Sequence, residues 1–516
     1  MKQKLTKVIS FIRAHRVGLA LGIVMAVAIF FRFWQLPQTP PGLYEDEAAN
    51  GLDIFSIQDG NLQPFYPGNN GREALFFYLQ VPFVWMFGNT AFALRVAPAL
   101  IGVATVLVTY LWVKEWFSRR AALVTALFLA TGSWAVTISR NGFRAGMVPL
   151  MIALSVWLFT KGWKARRWYW WLLTGLSLGV GFYTYTSYRL FPLALLGILV
   201  FGLWRYRRQL KTLILALILV GTVTILALAP LGIYGWGHRG EVLQVRSNVS
   251  ITNSQFNQGN LLKTLASNVG KTVLMFNLKG DHNWRHNLSS APMLNAFVGI
   301  MFIFGGMLAL RRSRDIRYFV LLAILGVMLL PNLLTAEGIP HGLRTIGVIP
   351  VIYILAAIGT VELLWRWRAV FPTNIIARGV GLVLLLGLIG YSAGYDYQRY
   401  FVAWANAPEV YVAYSEDATE AAKYLIGQDY SGSRYLVIDA NKERTVEYLT
   451  HDKSQYQRLE VEEVGTIVAP AQIVAVSDRE KVEQILRNQN RSFQQSNQTS
   501  PSRPHVTLFS VYEISQ

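Results

Sequence analysis

The chain has 516 residues, of which 53% are hydrophobic and 15% are charged, and it contains no cysteine. Because about a quarter of the residues in soluble proteins are charged, this composition excludes an ordinary soluble protein. The absence of cysteine also excludes disulfides and thiolate metal sites. The net charge of +19 falls mostly in short loops between apolar runs, which is typical of membrane topology. No nucleic-acid partner is therefore predicted.

Apolar runs recur from residue 17 to residue 395, and most are close to the roughly 20 residues that cross a membrane as a helix. The first run follows a basic N-terminal segment and lacks a small-x-small cleavage site, so we interpret it as a retained helix. The eleven predicted spans are residues 17–34, 92–113, 121–138, 145–160, 168–186, 190–204, 212–233, 291–310, 318–336, 344–364 and 376–395.

The loops between these runs alternate in charge. The N-terminal segment and every second loop are short and basic, whereas the intervening loops are long or nearly uncharged. The positive-inside rule then predicts a multi-pass protein of the cell membrane with a cytoplasmic N-terminus and, after eleven spans, an extracytoplasmic C-terminal domain. The basic loops are 114–120, 161–167, 205–211, 311–317 and 366–378.

The fold class predicted from this pattern is mainly α, with a polytopic membrane domain at residues 1–395 and a small extracytoplasmic α/β domain at residues 396–516. The outer loops of the membrane domain are 35–91 and 234–290. Amphipathic patterns in the first loop predict a helix at Glu47–Ile57 and an interfacial helix at Glu73–Phe87.

In the C-terminal domain, Ser415-Glu416-Asp417 predicts the start of a helix that continues to Leu425. Two short apolar runs and one alternating run predict strands, and a second helix is expected between them. The polar residues 490–504 are expected to form a mobile loop. The predicted strands are Tyr435–Ile438, Ile473–Val476 and Val506–Ile514, and the second helix is Arg479–Leu486.

The acidic triplet Glu45-Asp46-Glu47 lies shortly after the first span and opens the first outer loop. One interpretation is structural, since acidic residues in the first turn of a helix stabilise it by about 0.3–1 kcal/mol. The other is catalytic: a carboxylate just outside a bilayer can act as a general base toward an acceptor hydroxyl.

Arginines in the outer loops are the candidates for binding an anion. Arg72 is either an interfacial residue or a phosphate ligand, because a guanidinium offers two parallel hydrogen bonds to a phosphate. Four further arginines break the positive-inside pattern, which is expected either of ion pairs, with Glu337 for example, or of contacts with an anionic headgroup. These are Arg140, Arg144, Arg189 and Arg344, and His341 beside the last of them is included among the candidate phosphate contacts.

Other chemistries have weaker signals. His282 and His286 have the i, i+4 spacing of a metal pair on a helix, but Gly280-Asp281 and Asn283 favour a loop. No metal site and no cofactor are predicted, although the sequence leaves a divalent metal open. The chain has no Gly-x-Ser-x-Gly elbow, no Walker A motif and no GxGxxG motif, so neither a serine hydrolase nor a cytosolic nucleotide donor is indicated.

Three features in order carry a resemblance to a known family: the acidic pair after the first span, Arg72 followed by Leu75-Phe76-Phe77-Tyr78, and Phe92-x-x-Arg95. Over roughly residues 15–395 the chain resembles the GT-C membrane glycosyltransferases of the protein O-mannosyltransferase and aminoarabinose-transferase type, glycosyltransferase family 39. In that family the basic residue is commonly followed by Pro-Pro, whereas Glu73-Ala74 follow here.

The resemblance implies a specific reaction. Such enzymes move a sugar from a polyprenyl-phosphate carrier in the membrane to a protein, lipid or glycan acceptor on the outer face, with inversion at the anomeric carbon. It also implies that Asp46 is the general base, that Glu47 assists it, and that Arg72 meets the carrier phosphate.

Two other functions stay open on the sequence alone. The first is a transporter or flippase for a lipid-linked glycan, which predicts charges at span centres or broken helices at mid-membrane. The second is a membrane-anchored interaction protein whose C-terminal domain carries the function, for which eleven spans are far more than an anchor needs.

Overall fold

The computed structural model describes residues 2–69, 71–205, 207–240, 250–253, 257 and 259–515. Its contacts divide the chain into two compact units. Unit one comprises Met1–Trp34, Gln63–Phe76 and Pro98–Trp404, and unit two comprises Gln35–Leu62, Phe77–Ala97 and Ala405–Gln516. Much of the first outer loop therefore shares a unit with the C-terminal residues.

Helices make up most of the described chain. In chain order they are α1 (Lys2–Phe33), α2 (Glu45–Gln58), α3 (Leu75–Phe87), α4 (Ala91–Trp116), α5 (Arg119–Thr131), α6 (Ser133–Arg140), α7 (Met147–Ala165), α8 (Trp168–Gly181), α9 (Phe191–Arg205), α10 (Leu210–Gly237), α11 (Leu261–Leu274), α12 (Ala296–Arg311), α13 (Ile316–Leu333), α14 (Ile349–Val370), α15 (Ile375–Tyr397), α16 (Pro408–Ala413), α17 (Glu416–Gly427), α18 (Ala440–Thr450) and α19 (Arg479–Asn488).

All eleven predicted apolar runs fall on helices, which confirms the mainly helical fold class. Among the described residues, seven helices are long and apolar enough to cross a membrane, or eight if one bent pair is counted as a single span. Shorter apolar helices cover Val17–Phe33 and Ala296–Arg311. The predicted outer loop 234–290 includes α11 in its described part, and its residues 241–249, 254–256 and 258 lie outside the described chain.

The predicted span 121–138 is not one straight helix. It consists of α5 and α6, which meet at Gly132 with a bend of 57°. A Cβ at Gly132 would overlap the Tyr353 hydroxyl on α14, so only glycine permits this close approach. α14 is the central helix of unit one: Ile349–Thr360 form a continuous buried stretch, and this helix packs against α5 and α12.

Unit two contains a five-stranded sheet with the order β4-β3-β5-β7-β6. β3 runs parallel to β4 and β5, whereas β7 runs antiparallel to β5 and β6. All five residues of β5 are buried, so the core of the unit lies along this strand. The strands are β3 (Ser433–Val437), β4 (Gln457–Arg458), β5 (Ala471–Ala475), β6 (Phe493–Thr499) and β7 (Thr507–Ile514); a separate hairpin in unit one consists of β1 (Phe65–Tyr66) and β2 (Arg72–Glu73).

The predicted helices and strands of this C-terminal region are confirmed, apart from shifts of one or two residues at their ends. The expected mobile loop at 490–504 is wrong, because Phe493–Thr499 form β6 and pair with β7 from Phe493↔Ile514 to Thr499↔Thr507. β6 is an edge strand whose residues are mostly exposed. A strand of this kind needs no apolar side chains, so its polar composition resembles that of a loop.

Candidate active site

The helix α2, which carries the acidic triplet, is fixed within unit two by contacts with α18. The side chain of Phe55 stacks on the rings of Tyr448 and His451, with centroid distances of 5.4 and 4.0 Å. Gly51 lies so close to Tyr448 that a Cβ there would overlap the ring. The C-terminal domain thus packs against the helix that presents the predicted base.

The chain just before α2 is also tied to the C-terminal part of unit two. The Leu43 amide donates a hydrogen bond to the Thr419 hydroxyl (2.9 Å), and the Thr445 hydroxyl donates to the Leu43 carbonyl (3.0 Å). The Ser415 hydroxyl donates to Glu45 Oε1 at 2.6 Å. The first turn of α2 is therefore held on both sides.

Glu47 is fully buried and forms an ion pair with Arg95, whose side chain is equally buried. Arg95 Nε and Nη2 donate to the two carboxylate oxygens at 3.2 and 2.8 Å, and the Tyr44 amide donates to Oε2 at 3.3 Å. Arg95 also donates to the carbonyls of Pro40 and Gly42, each at 2.7 Å. These contacts indicate that Glu47 fixes the start of α2.

Asp46 lies between Glu45 and Glu47 in the sequence, and its side chain is partly exposed. As a first-turn residue it lies at the positive end of the helix dipole. An accessible carboxylate on a helix that its neighbours hold in place has the geometry that a general base requires. Arg95 is recognised from the sequence only as part of the Phe92-x-x-Arg95 motif. In the structure it fixes the N-terminal end of α2 through Glu47.

A second cluster, in unit one, is built on the β1/β2 hairpin around Glu73. This carboxylate is 1% exposed and lies 3.3 Å from Arg144 Nε and 3.0 Å from Arg189 Nη2. Arg144 Nη2 also donates to the Gly71 carbonyl at 3.2 Å. Two of the predicted phosphate ligands are thus brought together, and we call Glu73, Arg144 and Arg189 the Glu73 cluster.

Arg72 precedes Glu73 in β2 and is also buried. Strand alternation places the two side chains on opposite faces of the hairpin, and Arg72 Nε donates to the Gly68 carbonyl at 3.2 Å. The hairpin and the Glu73 cluster together therefore carry three guanidinium groups beside one carboxylate. In the sequence Glu73 is noticed only as a departure from the family pattern, and the one signal of its role is that it directly follows Arg72 in an outer loop.

Arg140 and Arg344 contact other parts of unit one. Arg140 is fully buried, donates to the Phe31 carbonyl and the Tyr400 hydroxyl at 3.1 Å each, and lies over the ring of Phe401 at 5.0 Å. Arg344 donates to the Glu337 carbonyl within its own loop. These contacts favour the structural interpretation for both residues.

Asp281, His286 and His341 form the group in the described chain that could hold a metal ion. Their ligand atoms all lie within 4.8 Å of one another. His286 Nδ1 is 2.8 Å from Asp281 Oδ2, which also accepts from the Gly342 amide at 2.6 Å. His282 instead contacts Ser290 Oγ, so the i, i+4 histidine pair does not act as one site. Two imidazoles and a carboxylate are the ligands that a divalent metal such as zinc takes.

The Asp281 carboxyl gives a prediction about stability and pH. Burial alone would raise its pKa, but the hydrogen bond from His286, the charges of His286 and His341 and the Gly342 amide lower the pKa to about 2. Because this pKa is lower than the ordinary value near 3.8, the ionised Asp281 carboxylate stabilises the fold at pH values above about 3.8. The stabilisation is lost as the pH falls toward 2. Asp281→Asn should therefore cost about 2 kcal/mol at pH 6.

Thermal unfolding of the purified full chain at pH 6 and at pH 2.5 checks this expectation. The difference between the wild type and Asp281→Asn should shrink at the lower pH. A difference that stays the same at both values would show that the charge of Asp281 does not contribute to stability.

The solved structures to which the chain is similar share its architecture. ArnT from Cupriavidus metallidurans, bound to undecaprenyl phosphate, superposes with a TM-score of 0.55 at 14% identity, covering 96% of this chain and 97% of that one. The apo oligosaccharyltransferase from Archaeoglobus fulgidus gives 0.53 at 14% identity, covering 95% and 70%. The chain has the fold of the GT-C membrane glycosyltransferases, which confirms the predicted resemblance.

Sequence comparison finds similarity over a shorter part of the chain. Residues 74–234 match the family model described as dolichyl-phosphate-mannose-protein mannosyltransferase. YkcB of Bacillus subtilis (strain 168), which carries a provisional mannosyltransferase name, is 27% identical over 142 residues. The matched region is 27% of this chain and only 20% of that relative.

Proposed function

We propose that this protein is an inverting glycosyltransferase that moves a monosaccharide from a polyprenyl-phosphate carrier to an acceptor on the outer face of the cell membrane. Solved structures of similar fold support this substrate class: ArnT is bound to undecaprenyl phosphate, and oligosaccharyltransferase structures from Archaeoglobus fulgidus contain dolichol phosphate with an inhibitory peptide or a tethered acceptor peptide. A protein, lipid or glycan hydroxyl is the acceptor. In the proposed orientation the N-terminus is cytoplasmic and the C-terminal domain lies outside.

The observation that carries the proposal is the excess of positive charge around the β1/β2 hairpin. Arg144 and Arg189 contact one carboxylate, Glu73, and Arg72 is buried on the other face of the hairpin, so three guanidinium groups accompany a single negative charge. The phosphate of the carrier is the anion that a membrane transferase must hold. Guanidinium groups match its oxygens in pairs, and Glu73 keeps Arg144 and Arg189 oriented before the carrier arrives.

The reaction is a single displacement. The acceptor oxygen forms a bond to the anomeric carbon while the bond from that carbon to the phosphate oxygen breaks. The acceptor proton passes to the Asp46 carboxylate, and the leaving polyprenyl phosphate takes the bonding electrons, its new charge stabilised by the arginines. Glu47 acts as a positioning residue through Arg95. The donor arrives already activated, so no nucleotide is required at the site.

The arginines give a direct test of the phosphate site. Arg144→Gln and Arg189→Gln should each weaken binding of a polyprenyl-phosphate sugar about tenfold or more, because each removes a charge-assisted hydrogen bond. The measurement is the donor KM of the full chain in liposomes. Arg120→Gln, an exposed arginine in a basic loop, is the matched control and should leave the KM unchanged. An unchanged KM in both cluster variants would contradict the assignment.

A second function, flipping of a lipid-linked glycan, is favoured by one observation. The 57° bend between α5 and α6 is a broken apolar segment, which transporters use at their substrate sites. A fluorescent lipid-linked glycan in liposomes distinguishes the two: a flippase moves the intact molecule between leaflets, whereas a transferase releases the carrier.

A further inference from the structure

A cavity of about 480 Å³ lies inside unit one, among the helices α4, α7, α8, α9, α10 and α13. This volume falls in the range of roughly 300–1,000 Å³ that is typical of small-molecule sites. Most of the lining is aliphatic or aromatic, with Phe159, Leu195 and Leu213 as examples. Even an apolar cavity of about 150 Å³ takes up apolar ligands, so one of this size in a membrane bundle favours an acyl chain.

The charged end of the cavity lies at the opposite end of α7 from the Glu73 cluster. Arg144 and Arg189 precede the first residues of α7 and α9, whereas the cavity is lined by the later parts of these helices, Ser155–Lys164 on α7 for example. Lys164, at the charged end of the cavity, follows Met147, the first residue of α7, by 17 residues, or about 26 Å at roughly 1.5 Å per residue. The cavity is therefore a separate site from the proposed phosphate site.

Charged residues gather at the end of the cavity next to the basic loops. Lys164 and Arg317 line it and are 51% and 43% exposed, so their charged heads reach the surface. Glu115 lies between Lys161 and Lys164, with N–O distances of 3.1 and 3.0 Å. Arg317 donates to the Trp116 carbonyl at 2.7 Å and is paired with Asp315, with Nη2 2.5 Å from Oδ2. An apolar interior with cations at one end matches the two parts of an anionic lipid.

The surroundings reinforce this charge preference. The four loops at this end of the helices, residues 114–120, 161–167, 205–211 and 311–317, contain fifteen basic and two acidic residues. Clusters of this kind bind anionic lipid headgroups at the membrane surface. The outer faces of α9 and α10 beside the cavity expose Leu196, Leu215 and Ile218, so the cavity borders the lipid-facing surface.

We infer that this cavity holds one anionic glycerophospholipid from the leaflet that the basic loops face, with an acyl chain between the helices and its phosphate at Lys164 and Arg317. Gly202 gives the structural basis for a test. It is buried and lines the cavity, yet a Cβ added there would meet no atom within 4 Å. A larger side chain at this position points into open space and competes with the acyl chain.

The test is lipid retention by the purified full chain after exchange against vesicles of phosphatidylglycerol and phosphatidylcholine, measured by native mass spectrometry. The wild type should retain phosphatidylglycerol in preference to phosphatidylcholine, and Gly202→Phe should retain at least about tenfold less. Gly197→Phe is the matched control on the same helix: its Cβ is equally unobstructed, but Gly197 does not line the cavity. This control should behave like the wild type.

The headgroup contact is tested by Lys164→Gln combined with Arg317→Gln, which should remove the preference for phosphatidylglycerol while an acyl chain is still bound. A measurement that needs no cavity-filling variant is quenching of tryptophan fluorescence by brominated phosphatidylglycerol. Trp163 lines the cavity, so Trp163→Phe should reduce the quenching. Equal retention by Gly202→Phe and the wild type, or polyprenyl phosphate as the retained lipid, would overturn the inference.

Discussion

Replacing Asp46 by asparagine is expected to lower the rate of sugar transfer by about 10²–10⁴-fold, the usual contribution of a general base. The substitution keeps the size and the helix position of the side chain but removes its ability to take the acceptor proton. The expected loss is in kcat, because Asp46 is not proposed to bind the donor phosphate. The measurement is single-turnover transfer from a polyprenyl-phosphate sugar by the full chain in liposomes.

Asp59→Asn is the matched control, since Asp59 is an exposed residue at the other end of the same helix. It should leave the rate unchanged. Donor binding by Asp46→Asn should also match the wild type, which separates lost chemistry from lost folding. A variant at Asp46 that transfers sugar at the normal rate would exclude this residue as the base.

Breaking the buried pair between Glu47 and Arg95 is expected to be the most destabilising change in unit two. Glu47→Gln or Arg95→Met should each cost about 3–5 kcal/mol, because either substitution leaves a buried charge without its opposite. Both side chains are 0% exposed, so water cannot compensate for the lost partner. The effect is measured by heating the full chain and recording the temperature at which the C-terminal domain becomes susceptible to a protease.

The double variant Glu47→Leu with Arg95→Met is the control for this prediction. Removing both charges should cost less than removing one, since no unpaired charge is left buried. Transfer should fall in the single variants together with stability. If Glu47→Gln abolished transfer while the unfolding temperature stayed at the wild-type value, Glu47 would be a catalytic residue and not a positioning one.

The membrane helices could be predicted from the sequence because the length of an apolar run is a local property. The bend at Gly132 could not, since it depends on the Tyr353 ring, which comes from a helix much later in the chain. The edge strand β6 was missed for a related reason: its register with β7 supplies the hydrogen bonds, and its own residues carry no apolar pattern.

The candidate site was predicted only in part. Asp46 and Arg72 stand out because of their positions relative to the first span. The roles of Glu73 and Arg95 depend on partners: Glu73 orients two arginines from distant loops, and Arg95 fixes Glu47. Arg140 shows the converse. It breaks the positive-inside pattern and is therefore predicted to contact the phosphate, but in the structure its side chain is buried against Phe31 and Tyr400.

The most direct test of the proposed reaction is to follow both halves of the donor at once. The full chain in liposomes is given polyprenyl-phosphate monosaccharides labelled in the sugar and in the lipid, together with a hydroxyl acceptor. Glycosyl transfer predicts that free polyprenyl phosphate appears at the same rate as the glycosylated acceptor, with the opposite anomeric configuration. Movement of the intact donor between leaflets, with no release of polyprenyl phosphate from any of the monosaccharide donors, would contradict the proposed glycosyl transfer.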